Sequence, residues 1–251
     1  MPYGLYISAE GAQVQSQRLE HLANNLANLE TPGFKRDLPT FQARYAEAIQ
    51  RGQAAPGDGS ENDLGGGVKL MEVKTDFSHS TLRHTKMPTD FAVNGDGFFR
   101  VLGDDGEELL TRAGNFSVNS VGRLVTQMGL SVLDDGGSAI DLDPRQPWEV
   151  QAGGRIVQGD QATPLGLARP ESLEELVKVG SNLFRPTGDT AQVPENERDI
   201  RQGYLEQSGV NSTREMMSLI ETSRAFEANT KLIQHQDSML GNLISRVLAT
   251  S

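Results

Sequence analysis

Apolar residues recur every seven positions at both ends of this chain, in stripes that stay narrow. Leu5, Ala12, Leu19 and Leu26 form one row and Leu22 and Leu29 a second, with Ala9, Ser16 and Ala23 keeping the flank small. A seven-residue repeat with a thin apolar seam predicts a helix that packs on another helix rather than over a broad core. The row stops at Thr31-Pro32-Gly33, where proline and glycine together end a helix. Toward the C-terminus Leu219, Phe226, Ile233, Leu240 and Val247 repeat the spacing, and Leu232, Met239, Leu243 and Ile244 broaden the stripe. Asn211, Ser212 or Thr213 is placed to cap that second helix.

Between the helices the period changes. Short β-prone runs such as Phe98–Leu102, Asn115–Val118, Arg123–Thr126 and Pro147–Val150 alternate with Gly- and Asp-rich turns. Asn94-Gly95-Asp96-Gly97, Asp104-Asp-Gly106 and Asp134-Asp-Gly-Gly137 carry the residues that tight turns demand. Ser172 and Glu175 have capping-box spacing for a short helix. The stretch from Gln50 to Gly67 has almost nothing to bury and reads as a loop. The expected fold class is therefore α+β: long N- and C-terminal helices pairing as an antiparallel coiled coil, around a central all-β domain. The expected divisions are an N-terminal helix over 1–30, a connecting region with a loop over 31–67, a β-rich domain over 68–202, and a C-terminal strand and helix over 203–251. The alternative is that each helix packs separately on the β domain.

The helices are unusual in what they omit. Leu22-Ala-Asn-Asn-Leu-Ala-Asn-Leu29 holds three asparagines and no charge, and Ser238-Met-Leu-Gly-Asn-Leu-Ile-Ser245 is also uncharged. Asparagine is a mediocre helix former, and a solvated helix face usually carries Lys and Glu. Neutral amides can be buried when they find partners, whereas unpaired charges cannot. On the heptad Asn24 lies opposite the seam, Asn25 flanks it and Asn28 lies on the outer side. These positions are expected to belong, with the leucine rows, to a surface that associates with other subunits; the alternative is that they face water. The apolar stripes are thin, so the terminal helices are expected to need further packing partners and to become ordered on docking.

Composition narrows the chemistry. The 251 residues include 34 Asp and Glu against 23 Lys and Arg, a net charge of -11. That charge disfavours nucleic acid and anionic membrane surfaces as partners. There is no cysteine, which removes thiol catalysis, thiolate metal sites and disulfides. No run of 18 apolar residues predicts a membrane span, and the N-terminus has neither the basic nor the apolar region of a cleaved secretory signal. His21, His79, His84 and His235 are not at metal-ligand spacing. Asp104-Asp-Gly-Glu-Glu lacks the closing Glu of a calcium loop, Asn94–Gly97 is followed by no Gly-Lys-Ser/Thr, and no Gly-x-Ser-x-Gly occurs. Catalytic, metal and cofactor-binding residues are expected to be absent, as is a small-molecule substrate.

Three ordered blocks carry a family resemblance. Leu22–Asn28 with Thr31-Pro-Gly-Phe-Lys-Arg36 resembles the N-terminal signature of bacterial flagellar rod and hook proteins. Asn94-Gly-Asp-Gly-Phe-Phe99, Thr111-Arg-Ala-Gly-Asn-Phe116 and Gly122-Arg-Leu-Val-Thr126 resemble its central signature. Gly203-Tyr-Leu-Glu-Gln-Ser-Gly-Val-Asn211, Glu215-Met-Met217 and Arg224-Ala-Phe-Glu227 resemble the C-terminal one. One departure is Ser208-Gly209-Val210 where the family usually has Ser-Asn-Val, which is expected to leave the connection freer.

The resemblance implies a non-enzymatic structural subunit of the flagellar basal-body rod. Hook proteins carry large extra domains for which 251 residues leave no room. Thr31–Phe34 and Arg224–Glu227 look more like the proximal than the distal rod type, with the distal type as alternative. A soluble binding module with a helical oligomerisation arm is the alternative outside the family. What the resemblance implies further is export by the flagellar type III apparatus without a cleaved signal, stacking in the periplasm into a torque-transmitting shaft, and partners that are copies of the chain and other rod proteins. The assembly residues so expected are Leu5, Leu19, Leu22, Asn24, Asn25, Leu26, Asn28, Leu29, Leu219, Phe226, Ile233, Leu240, Ile244 and Val247. Pro32, Gly33, Asn94, Gly95, Asp96 and Gly97 are expected as structural turns.

Overall fold

A computed structural model of the chain describes residues 3–45, 49, 51–53, 55, 57, 65–143, 145–151 and 153–249, without the side chains of Tyr3 and residues 247–249. Most of the loop expected over 50–67, and the side chain of Val247, lie outside the described residues. The chain divides into two units. One gathers Met1–Ala27, Asp37–Asp76 and Asn211–Ser251; the other gathers Asn28–Arg36 and Phe77–Val210. The sequence-based divisions run elsewhere: residues 28–36 join the β unit, and the strand over 68–75 joins the helices.

The helical unit pairs α1 (Tyr3–Ala27) with α2 (Ser212–Ala249). The pair is antiparallel, as Gly4 faces Gln236 and Gly11 faces Asn229, so seven residues forward on α1 is seven back on α2. The cap of α2 is Asn211, whose Oδ1 accepts from Arg214 N at 3.1 Å, as an N-cap side chain should. A two-stranded ribbon of β1 (Asp37–Ala43) and β2 (Val68–Thr75) completes the unit and packs on α1. The ribbon is pinned to α1 near both ends. Asn25 bonds the backbone of Asp37, and Glu10 Oε1 accepts from Arg44 Nη1 at 2.5 Å. The two spans match: fifteen helical residues rise about 22 Å, and seven extended residues cover about 23 Å. The sequence gives β1 little strand signal, because Pro39 interrupts it and no residue of it is fully buried.

The β unit is built on a nine-stranded sheet. After β3 (Leu82–His84) and β4 (Phe91–Val93), the sheet centres on β5 (Phe98–Leu102) and β6 (Glu108–Thr111). Both faces of β5 are covered, and its alternation divides two cores. Phe98 joins Leu110, Phe184 and the half-buried Phe77 on one side, while Phe99 and Val101 join Phe91, Phe116, Leu124 and Leu167 on the other. Edge-on packing of Phe99 against Phe116, centroids 5.2 Å apart, has the favoured aromatic geometry. The Asp104–Gly106 turn closes the β5–β6 hairpin through Gly103 N to Glu107 O at 2.8 Å. Asn94–Gly97 also turns the chain, but it joins strands of different pairings: β4 pairs with Ile200–Gln202, and β5 with β6. The short helix expected after Pro170 is one 3-10 turn, Leu173–Glu175, capped by Ser172.

Candidate functional site: helix faces and a buried charge node

On the helices, the seam read from the heptads is present but thinly covered. Leu22 is buried, and Leu5, Leu19, Leu26, Leu219, Phe226, Ile233 and Leu240 are half-buried. The second seam row of α2 is polar: Glu215, Thr222, Asn229 and Gln236, again every seven residues, with Glu215 and Thr222 buried. Gly4 and Gly11 on α1 make room for two of them, with the Gln236 and Asn229 amides about 3 Å from where a Cβ would lie. A polar row at a helix seam fixes register at some loss of stability. Sequence reading missed it because polar heptad positions look like solvent positions. The residues expected to broaden the stripe are displaced by this row, and Leu232, Met239, Leu243 and Ile244 are exposed. Met216, Met217 and Ile220 are also exposed on α2.

The asparagines separate. Asn24 is exposed, whereas Asn25 is buried, its Nδ2 donating to Asp37 O at 2.9 Å and its Oδ1 accepting from Asp37 N at 3.0 Å. The outer flank of α1 at Asn25 is thus covered by β1 of the same chain rather than left open. Asn28 begins a turn, its Oδ1 accepting from Thr31 Oγ1 at 3.1 Å and its carbonyl from Thr31 N. Leu29 and Pro32 help to line a crevice of ≈ 270 Å³ in the β unit, with Arg83, Leu205, Ser208 and Val210. Ser238 and Ser245, at the ends of the uncharged stretch of α2, satisfy their hydroxyls on the Gln234 and Gly241 carbonyls, both at 2.9 Å, as helical serines often do.

In the β unit the family motif blocks meet at one buried node. Lys35 Nζ donates to Glu206 Oε1 at 2.6 Å and to Ser78 O at 2.8 Å, with both side chains almost fully buried (1% and 2% exposed). Ser80 N donates to the same carboxylate oxygen at 3.1 Å. Arg112 Nη1 stands 3.5 Å from Glu206 Oε2, its Nη2 donates to Gly95 O at 2.8 Å, and its guanidinium lies 4.9 Å over the Phe98 ring. Burial lowers the Arg112 pKa, against the opposing pull of Glu206 and Asp96. The strap that carries Lys35 is fixed residue by residue. Asn182 Nδ2 donates to Pro32 O at 2.9 Å, Gly33 N to Glu206 O at 2.8 Å, and Lys178 Nζ sits 4.2 Å over the Phe34 ring. Gly33 has φ +66°, and a Cβ there would collide with the Arg112 backbone. Gly209, expected to loosen the chain, instead donates its N–H to Phe34 O at 2.8 Å. A Cβ at Gly209 would press on that carbonyl.

Pro32, Gly33 and Gly95 were expected as structural turns, but the charged residues Lys35, Arg112 and Glu206 were not singled out from the sequence. The signal was available: each falls inside one of the three motif blocks. Nearby in the same unit, exposed His79 stands 3.3 Å from Asp96, and His84 stacks on Tyr204 with ring centroids 4.6 Å apart. Among the described residues no group of three or more His, Cys, Asp or Glu could hold a metal, and no helix is long and apolar enough to cross a membrane.

Helix faces half-covered by their own chain and a charge cluster locked inside a strap are packing devices, the marks of a structural subunit. Three family models match: the flagella basal body rod protein over residues 5–35, the flagellar hook protein FlgE/F/G D1 domain over 92–164, and the flagellar basal body rod FlgEFG protein C-terminal region over 201–246. The chain is 36% identical to the flagellar basal-body rod protein FlgF of Caulobacter vibrioides, over 98% of both chains. It is 32% identical to FlgG of the same organism, over 94% of this chain and 96% of the relative. With FlgG of Borreliella burgdorferi it shares 30%, over 96% and 97%. The chain belongs to the flagellar basal-body rod FlgE/F/G family, a non-enzymatic structural family. It is a subunit of the basal-body rod, where it assembles with other rod subunits.

Proposed function

We propose that this chain is the proximal, FlgF-type rod subunit, and that it stacks with copies of itself and other rod proteins into the periplasmic shaft that transmits motor torque. The observation that carries the proximal assignment is the comparison within one organism: 36% identity to FlgF against 32% to FlgG, each along nearly the whole chain. The distal type is the second reading, favoured by FlgG relatives that match over equal lengths. The exposed apolar positions of α2 support polymerisation, because a helix pair with few buried apolar side chains gains stability from neighbours. Torsion would then pass through many buried contacts at once. The chain would cross the flagellar type III export apparatus unfolded, and its thinly packed helices would fold as they dock.

Deletion of the gene, with complementation by the intact chain, tests this reading. Non-motile cells whose basal bodies lack the rod from its proximal segment outward are expected. Rods that reach normal proximal length and stop short of the hook would indicate the distal type. Unaffected swimming would remove the rod assignment, and discrete dimers without polymers would favour a soluble binding module.

A further inference from the structure

Asn94-Gly95 is the one Asn-Gly pair in the chain, and it lies in the exposed turn after β4. An asparagine followed by glycine carries its own nucleophile: the glycine nitrogen can close a five-membered ring on the side-chain Cγ, and no Cβ stands in the way. Here that nitrogen is open. Among the described residues Gly95 N donates to no acceptor, and a Cβ built on Gly95 would meet nothing within 4 Å. The electrophile, by contrast, is held. Asn94 Nδ2 donates to Asp199 Oδ2 at 2.5 Å, and Asn94 N donates to Asp199 O at 2.8 Å, continuing the pairing of β4 with Ile200–Gln202. On the far side Arg112 Nη2 fixes Gly95 O at 2.8 Å. Asn94 is thus tied by its backbone, its amide and the next carbonyl, and ring closure moves Cγ and Nδ2 against those ties. The contact is felt by its other partner, since the Asn94 amide is the main cause that holds the Asp199 carboxyl below its usual value.

We propose that Asn94 is a covalent modification site of this chain, where Gly95 N converts the asparagine to a succinimide and water opens it to aspartate or isoaspartate, and that the Asp199 carboxylate is the latch that slows the reaction in the folded chain. The balance needs no reagent but water. The bond from Gly95 N to Asn94 Cγ forms, the bond from Cγ to Nδ2 breaks, and Nδ2 leaves as ammonia with the proton from Gly95 N. Addition of water at Cγ gives aspartate, and addition at the Asn94 main-chain carbonyl gives isoaspartate. Either product sets a second carboxylate where an amide donated to Asp199. Isoaspartate also lengthens the main chain beside the carbonyl that Arg112 holds, so the site links the age of a molecule to the buried charge node.

Purified full-length chain, incubated in mildly alkaline buffer and then digested, is followed at Asn94 by the mass gain of deamidation and by separation of the two products. The chain unfolded in guanidinium is expected to react fastest and the folded parent slowest. Folded Asp199→Ala is expected to react about two- to fivefold faster than the folded parent, the factor that corresponds to an exposed contact worth under about 1 kcal/mol. Asp199→Asn keeps an acceptor oxygen for the Asn94 amide and is expected to stay closer to the parent. A folded parent that reacts as fast as the unfolded chain overturns the inference without any variant. So does an unfolded chain with no mass gain at Asn94, or an Asp199→Asn variant as fast as Asp199→Ala. A folded Asp199→Ala no faster than the parent overturns it as well, and a slower one would make Asp199 a base for the reaction rather than its latch.

Discussion

Asn25 and Asp37 hold one another through both polar atoms of the asparagine amide, with the Asp37 N–H and C=O as partners at 3.0 and 2.9 Å. The side chain copies the pattern of a β-ladder partner, and so docks the first residue of β1 on the last turns of α1. An amide has one donor and one acceptor side in the right order for this; a carboxylate has two acceptors.

Replacing Asn25 should therefore act inside the monomer. Asn25→Leu removes both bonds to the Asp37 backbone and is expected to cost about 1–3 kcal/mol. Asn25→Asp should cost at least as much, because a carboxylate would face the Asp37 carbonyl. Urea unfolding of the purified chain measures both, and unchanged midpoints would show that the bonds carry no weight.

This relationship also shows where the sequence was legible. The leucine heptads gave the two helices and favoured their pairing, but α1 ends at Ala27, so Leu29, counted in the heptad seam, lies in the turn beyond it. The central turns and strands were legible too. What the residues alone did not reveal was polar burial. Asn25 is inside because β1 returns to cover it, and buried Thr222 satisfies its hydroxyl on the Ser218 carbonyl at 2.7 Å. Lys35 is inside because Glu206, far away in sequence, meets it. Asn25 and Lys35 depend on partners that no local period records.

The charge node should be sensitive in a definite order. Breaking a buried pair by removing one partner typically costs about 3–5 kcal/mol. Lys35→Met leaves Glu206 still beside Arg112, whereas Glu206→Gln leaves two buried cations with no carboxylate, so the second is expected to be the more damaging. Exchanging the charges, Lys35→Glu with Glu206→Lys, should not rescue stability, because the exchanged lysine would face Arg112. Thermal midpoints of the four purified chains check the order; full rescue by the exchange would contradict it.

Acid should reveal a smaller contact in the β unit. The Asn94 amide donates to Asp199 Oδ2 at 2.5 Å and holds that carboxyl below its usual 3.8, with Arg201 adding to the effect. A depressed carboxyl stabilises the fold above its unfolded value, and that stability is lost as pH falls through the lowered folded value. Asn94→Ala should thus be less stable than the parent at pH 7, by under about 1 kcal/mol at a site this exposed. The gap should narrow as pH falls below 3.8, and thermal melts across that range would show a constant gap if the bond were immaterial.

The central claim is that the terminal helices are completed by neighbours, and amide hydrogen exchange tests it most directly. In the isolated chain the amides of α2 from Lys231 to Arg246 are expected to exchange far faster than those of β5 and β6, and in assembled rods to slow to a comparable rate. Amides along that stretch as protected in the isolated chain as in the rod would contradict the account.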